Sequence, residues 1–313
     1  MPNYTEFFGV SEVGNSQILE QLNTNVTAFL SWAFLNTGAF FNVSHPSSGV
    51  YNNPFSTLRK CEDPNYLTGQ VYETFRSNWV WESGLNYSSQ PINISGVYVN
   101  NTFQPIGTTG VLAYTLDYPK GRVVFNSPIS SSAKVEIDYS YRYVNVYPTD
   151  NTSFRQLMFN SFRSDSPMYS QSGSGNWATS SQNRVQQPAI FVESVPRRVI
   201  IPKQLGGGQF VRQDLLFHIF CETPGERNNL VDILLLQKEH KIYLFDKNQV
   251  ATSGAFPLKI DGSLNDNPLT YPDLVNNYTW RSAYFYEVTT QEITDYVPGL
   301  YRGIVRATLE IDY

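Results

Sequence analysis

QDLLFHIFCETPGERNNLVDILLLQKEHKIYLFD, residues 213–246, reads as a strand, a capped helix and a second strand. From Val211 to Cys221 the chain alternates through Leu215, Phe217, Ile219 and Cys221, the period of a strand buried on one face. Thr223-Pro224-Gly225-Glu226 then forms a capping box: a hydroxyl for the first helical amides, Pro at the first position and a carboxylate that reaches back. The helix continues through Leu230, Ile233 and Leu234 and is expected to end near Lys238, His240 and Lys241, cations that suit its negative end. Ile242 to Phe245 returns as a strand.

Working outward, Phe191 to Ile201, Ala283 to Thr289 and Gly303 to Tyr313 carry strand patterns, and Gly206-Gly207-Gly208 makes a break between the first two of the region's strands. Residues 188–313 are therefore expected to be a compact C-terminal α/β domain. Upstream, 164–187 is rich in Ser and Gln, with too little apolar content to offset the entropy of ordering, and reads as a linker or loop. Residues 91–163 read as an antiparallel β domain closed by a short amphipathic helix at 151–163. Its hairpin joins Leu112–Asp117 to Arg122–Phe125 through Tyr118-Pro119-Lys120-Gly121, which has the Pro and Gly placement of a type I turn. Lys134 to Tyr147 alternates, with Val135, Ile137, Tyr139, Tyr141 and Tyr143 expected inward and Lys134, Glu136, Asp138, Ser140 and Arg142 outward. Residues 1–90 hold a clear amphipathic helix over 16–37 and an irregular aromatic arm, with one short helix expected near Tyr72 to Trp81. The fold class is thus α+β: an antiparallel β-rich insertion, a compact α/β domain, and an N-terminal helix with an extended arm.

Chemistry-bearing residues are scarce. The 313 residues include three His and two Cys but 21 Tyr, 20 Phe and 5 Trp, a composition that builds surfaces and β-structure more readily than reactive centres. Cys61 and Cys221 are 160 residues apart, without the spacing of a zinc module. His218 has no neighbouring nucleophile, and the glycine triplet lacks the lysine of a phosphate loop. No cofactor, metal ligand set or catalytic residue emerges. The net charge of −5, spread over both halves, disfavours wholesale wrapping of nucleic acid, and no apolar run approaches the roughly 20 residues that cross a bilayer. The opening MPNYTEFFGVSEVGNS lacks the basic and apolar regions of a secretion signal, so a cytoplasmic site of synthesis is expected.

What remains is surface. The helix stripe Ile18, Leu22, Val26, Phe29 and Phe34, the cluster Trp79 and Trp81, and Trp177 in the linker are candidate interface anchors, with core packing as the competing reading. Arg184, Arg197, Arg198, Lys203 and Arg212 are opposed over that span by Glu193 alone, and form either a solvated strand face or a patch turned toward DNA or an acidic partner.

Asp117-Tyr-Pro-Lys-Gly-Arg-Val-Val-Phe125 with Lys134-Val-Glu-Ile-Asp-Tyr-Ser-Tyr141 resembles the hairpins of structural proteins from tailed bacteriophages. Gln213 to Phe220, the capped helix Glu226 to Lys238 and Ile242 to Asp246 are similar to tail-terminator and head-to-tail connector proteins of the phage neck. The resemblance covers about half the chain. It implies a virion protein with a tail-terminator-like C-terminal domain. It also implies a homo-oligomeric ring, commonly of six or twelve copies, that contacts portal, adaptor or tail-tube proteins and surrounds double-stranded DNA without reading its sequence. It further implies assembly in the host cytoplasm, and no membrane. A baseplate or fibre-attachment protein and a carbohydrate-binding β-protein are the alternatives.

Overall fold

Apolar residues spaced by three and four build α1 (Ile18–Asn36), and Gly38, at φ 89°, ends it by donating its N–H to the Leu35 carbonyl. The computed structural model describes residues 18–45, 54–155, 157–158, 185–203, 208–297 and 299–312. Ten short strands follow α1: β1 (Phe40–Val43), β2 (Arg59–Cys61), β3 (Val71–Glu73), β4 (Gly96–Val99), β5 (Thr102–Pro105), β6 (Tyr114–Asp117), β7 (Arg122–Phe125), β8 (Val135–Ile137), β9 (Tyr139–Arg142) and β10 (Asn145–Pro148). After α2 (Thr152–Arg155) come β11 (Ala189–Pro202), β12 (Gln209–Cys221), α3 (Pro224–Leu235), β13 (Lys241–Phe245), α4 (Lys247–Ser253), α5 (Tyr271–Asn277), β14 (Thr279–Val297) and β15 (Leu300–Asp312). The protein is a strand-rich α+β chain with antiparallel sheets, and no helix is long and apolar enough to cross a membrane.

Two compact units divide the chain, and they divide it differently from the expected boundaries at 90, 163 and 187. A middle unit takes Leu30–Ile190 and Phe256–Thr270. The other unit combines the chain up to Phe29 with Phe191–Ala255 and the residues from Tyr271 onward. The expected linker at 164–187 lies almost wholly outside the described residues, as does most of the expected helix at 151–163 beyond α2.

In the middle unit the arm and the β region share one core, because neither has enough apolar surface to close alone. Val43, Leu58, Tyr72 and Trp79 pack with Val97, Val123, Phe125, Ile137 and Tyr139. The sheets run β2-β3-β7-β6 and β5-β4-β8, while β1 pairs with β9. No helix forms near Tyr72 to Trp81. Tyr72 instead pairs with Val123 of β7, a non-local ladder that overrides an ambiguous local pattern. The turn at 118–121 closes as expected, with Asp117 opposite Arg122. Gly121 is required there, since it has φ 66° and an added Cβ would lie 2.9 Å from the Arg76 carbonyl oxygen.

The expected outward face of Lys134 to Tyr147 is a correction. Glu136, Ser140 and Arg142 are buried, because the segment is three strands serving three different sheets rather than one half-exposed strand. Arg142 and Ser140 find internal partners: Arg142 bonds Glu82 at 2.6 and 2.8 Å and Ser31 Oγ at 3.0 Å, and Ser140 Oγ donates to Asn42 at 2.6 Å.

In the second unit β11, β12, β15, β14 and β13 lie side by side in that order. The last strand, β15, is central, between β12 and β14. Leu215, Phe217 and Ile219 of β12 stand opposite Ala307, Val305 and Gly303 of β15, and this face is apolar. Helix α3 covers it so closely that a Cβ on Gly303 would meet Val231 Cγ2 at 3.0 Å. Its capping box forms as expected, with Thr223 Oγ1 accepting from the Glu226 N–H at 3.2 Å. The helix stops at Leu235, short of Lys238, because Glu239 turns to φ 66° and donates its N–H to Phe285 of β14.

Candidate functional site

Alternation places the even-numbered residues of β12 and β15 on the face opposite α3, and all the charged residues of the two strands are among them. Arg212 stands opposite Glu310 and Asp214 opposite Thr308. Charges on this face are matched within the sheet. Arg212 Nε bonds Glu310 at 2.8 Å while its guanidinium lies 3.7 Å from the centre of the Tyr286 ring, and the Glu310 carboxylate raises the Arg212 pKa. Asp214 accepts from Arg306 at 2.6 Å and Thr308 at 2.7 Å. Lys203 pairs with Asp312.

His218 sits in the same row. One of its ring nitrogens, Nε2, meets Glu193 at 2.6 Å, and Nδ1 lies 3.1 Å from an Arg302 nitrogen. Arginine only donates, so Nδ1 is the acceptor and Nε2 carries the proton. Both nitrogens are engaged, and the ring is held in one tautomer. Burial, against the pull of Glu193, lowers the His218 pKa below its ordinary value. The group can lock three strands together, but it presents no lone pair to a substrate.

A second polar cluster lies in the middle unit. His45 stacks on Tyr98 with ring centres 4.0 Å apart, and its Nδ1 is 3.6 Å from Glu136, which also takes a 2.8 Å contact from Lys134. Asp138 accepts from the His45 backbone N–H and from the Tyr98 hydroxyl. Among the described residues no group of three His, Cys, Asp or Glu side chains could hold a metal ion. A cleft of about 390 Å³ in this unit is lined by Val99, Val111, Leu112, Pro128 and Ile129, with Asn100 and Gln104 as its polar members.

Most of the expected interface anchors are spent inside the chain. Ile18, Leu22, Val26, Phe29 and Phe34 are all buried, since the helix stripe finds intramolecular partners; Phe29, for one, packs on Tyr271 at 5.6 Å. Trp79 is a core residue, its indole N–H donating to Thr74 Oγ1 at 3.0 Å, and Trp81 is half-buried against the same core. Trp177 and Arg184 lie outside the described residues, as does the side chain of Arg197. Of the basic patch, Lys203 and Arg212 are engaged by β15 carboxylates, while Arg198 is exposed.

Two strand edges are the surfaces that residue patterns missed. Strand β13 pairs with β14 only as far as Tyr284, so from Tyr286 to Val297 the outer edge of β14 has no neighbouring strand among the described residues. It carries exposed Tyr286, Glu287, Glu292 and Ile293. On the other flank the far end of the fourteen-residue β11 exposes Arg198, Val199 and Ile200 and has no outer strand beside it among the described residues. The signal available in sequence was the strand length, hidden because the two hairpins continue past their apolar alternation. No protein-family model matches the chain, and no curated protein is similar to it.

Proposed function

We propose that the chain is a structural virion protein of a tailed-bacteriophage neck. In this reading it is one copy of a ring that joins head to tail, or closes the tail tube, around passing double-stranded DNA. Portal, adaptor or tube proteins are its neighbours. The observation that carries the reading is the pair of open strand edges on opposite flanks of one sheet, each with exposed aliphatic side chains, which suits a subunit that needs a neighbour on both sides. The strand, capped helix and strand of 213–246, on which the resemblance to neck proteins rests, form one continuous motif against β15 and β14. A net charge of −5 is compatible with lining a DNA channel without gripping the duplex. His218, engaged at both nitrogens, adds rigidity rather than reactivity.

Light scattering coupled to size exclusion, followed by negative-stain imaging, tests this reading. Closed rings of uniform copy number are expected. A concentration-independent monomer, alone and with candidate tube and portal proteins, would overturn it.

A further inference from the structure

We infer that copies of this chain join head to tail by adding the open edge of β11 in one copy to the open edge of β14 in the next. This rests on the ring reading and names its interface. Lys203 donates its N–H to Gly208, and Glu193 against His218 and Phe191 against Phe220 keep the same register, so odd-numbered residues of β11 direct their backbone groups at β12. Even-numbered residues therefore direct theirs outward: Pro196, Arg198, Ile200 and Pro202. The prolines have no N–H to offer, which leaves a short window whose donors are Arg198 and Ile200. A window framed in this way admits a short strand and resists sliding.

The edge of β14 supplies strands of matching length. Register shifts after Phe285, Thr290 and Asp295 divide it into Glu287–Thr290 and Glu292–Asp295. Charge then chooses the pairing. The β11 edge exposes Arg198, while the β14 edge exposes Glu287, Glu292 and, on the face of Ile293, Asp295. Pairing β11 with β11 would oppose Arg198 to itself, and pairing β14 with β14 would oppose glutamates; pairing β11 with β14 opposes unlike charges. Ile200, 53% exposed, and Ile293, 51% exposed, supply an apolar pair at the same joint. Because the two edges lie on opposite flanks of one sheet, the contact is heterologous and repeats around a ring.

Ile200→Cys and Ile293→Cys chains, prepared separately and oxidised, should give a disulfide-linked dimer only when mixed; native Cys61 and Cys221 are buried and stay silent. Ile200→Pro, which removes only an outward N–H, and Arg198→Glu should each raise the dissociation constant of the oligomer roughly tenfold or more with unchanged circular dichroism. Adding Asp295→Arg to Arg198→Glu should restore assembly, because Asp295 shares the face of Ile293 on β14 as Arg198 shares that of Ile200 on β11. If rings persist in both single variants and no mixed disulfide forms, or if either cysteine variant crosslinks to itself, this interface is wrong while the ring reading stands. If the wild-type chain is monomeric throughout, the ring reading fails and takes the interface with it.

Discussion

The side-chain amide of Asn25 pairs with the backbone of Phe245 as a neighbouring strand would, accepting its N–H at 2.8 Å and donating to its carbonyl at 2.9 Å. The second amide hydrogen goes to Gln21 C=O at 2.9 Å, and the side chain is fully buried. One helix residue thus caps the outer edge of β13, and the Asn25-Val26-Thr27 sequon has no amide hydrogen to give to a glycan in the folded protein.

Asn25→Ala should cost about 2–4 kcal/mol, because both backbone groups of Phe245 would be left buried without partners. Urea unfolding monitored by tryptophan fluorescence checks this. A loss below 1 kcal/mol, on the order expected of an exposed site, would show that water replaces the amide.

His218 sets a pH dependence with a definite sign. Its folded pKa is lowered, chiefly by burial, while the unfolded imidazole titrates near about 6.5. Above that value neither state holds the proton and nothing is lost. As pH falls below it, the unfolded chain takes a proton that the folded chain refuses, and stability declines until the lowered folded value is passed. His218→Gln should flatten that part of the profile. Equal loss of stability between pH 7.5 and 5.5 in wild type and variant would be the contrary result.

Arg142 and Glu82 form a buried pair, their side chains 7% and 6% exposed. Removing one partner strands the other, so Glu82→Gln should cost about 3–5 kcal/mol, whereas the double change Glu82→Leu with Arg142→Met should recover much of the loss. A double-mutant cycle on urea midpoints separates these outcomes, and additive single losses would contradict the pairing.

Burial pushes the Cys221 thiol up to about 12, and Cys61 is also buried. Neither should react with a thiol reagent such as Ellman's in the native state, and both should react once guanidinium unfolds the chain. Release of chromophore before the unfolding transition would locate an opening that the fold does not contain.

The parts of this architecture written in local chemistry were legible. Thr223-Pro224-Gly225-Glu226 announces α3, and Tyr118-Pro119-Lys120-Gly121 announces the β6–β7 turn, because each is decided within a few residues. The parts decided at long range were not. Nothing near Asn25 signals Phe245, 220 residues away, and nothing within 134–147 reveals that Glu82 will meet Arg142 from behind. The same blindness turned core residues into expected interfaces. Trp79 and the α1 stripe look like spare apolar surface until distant segments fold over them, while the open edges of β11 and β14 are backbone features that side-chain patterns do not record.

Because the unit containing Asn25 draws on α1, on 191–255 and on everything past Tyr271, it cannot nucleate from one end of a growing polypeptide. The middle unit is nearly contiguous and is free to mature while synthesis continues. Its companion must wait for β15 to slot between β12 and β14, holding α1 uncommitted until then.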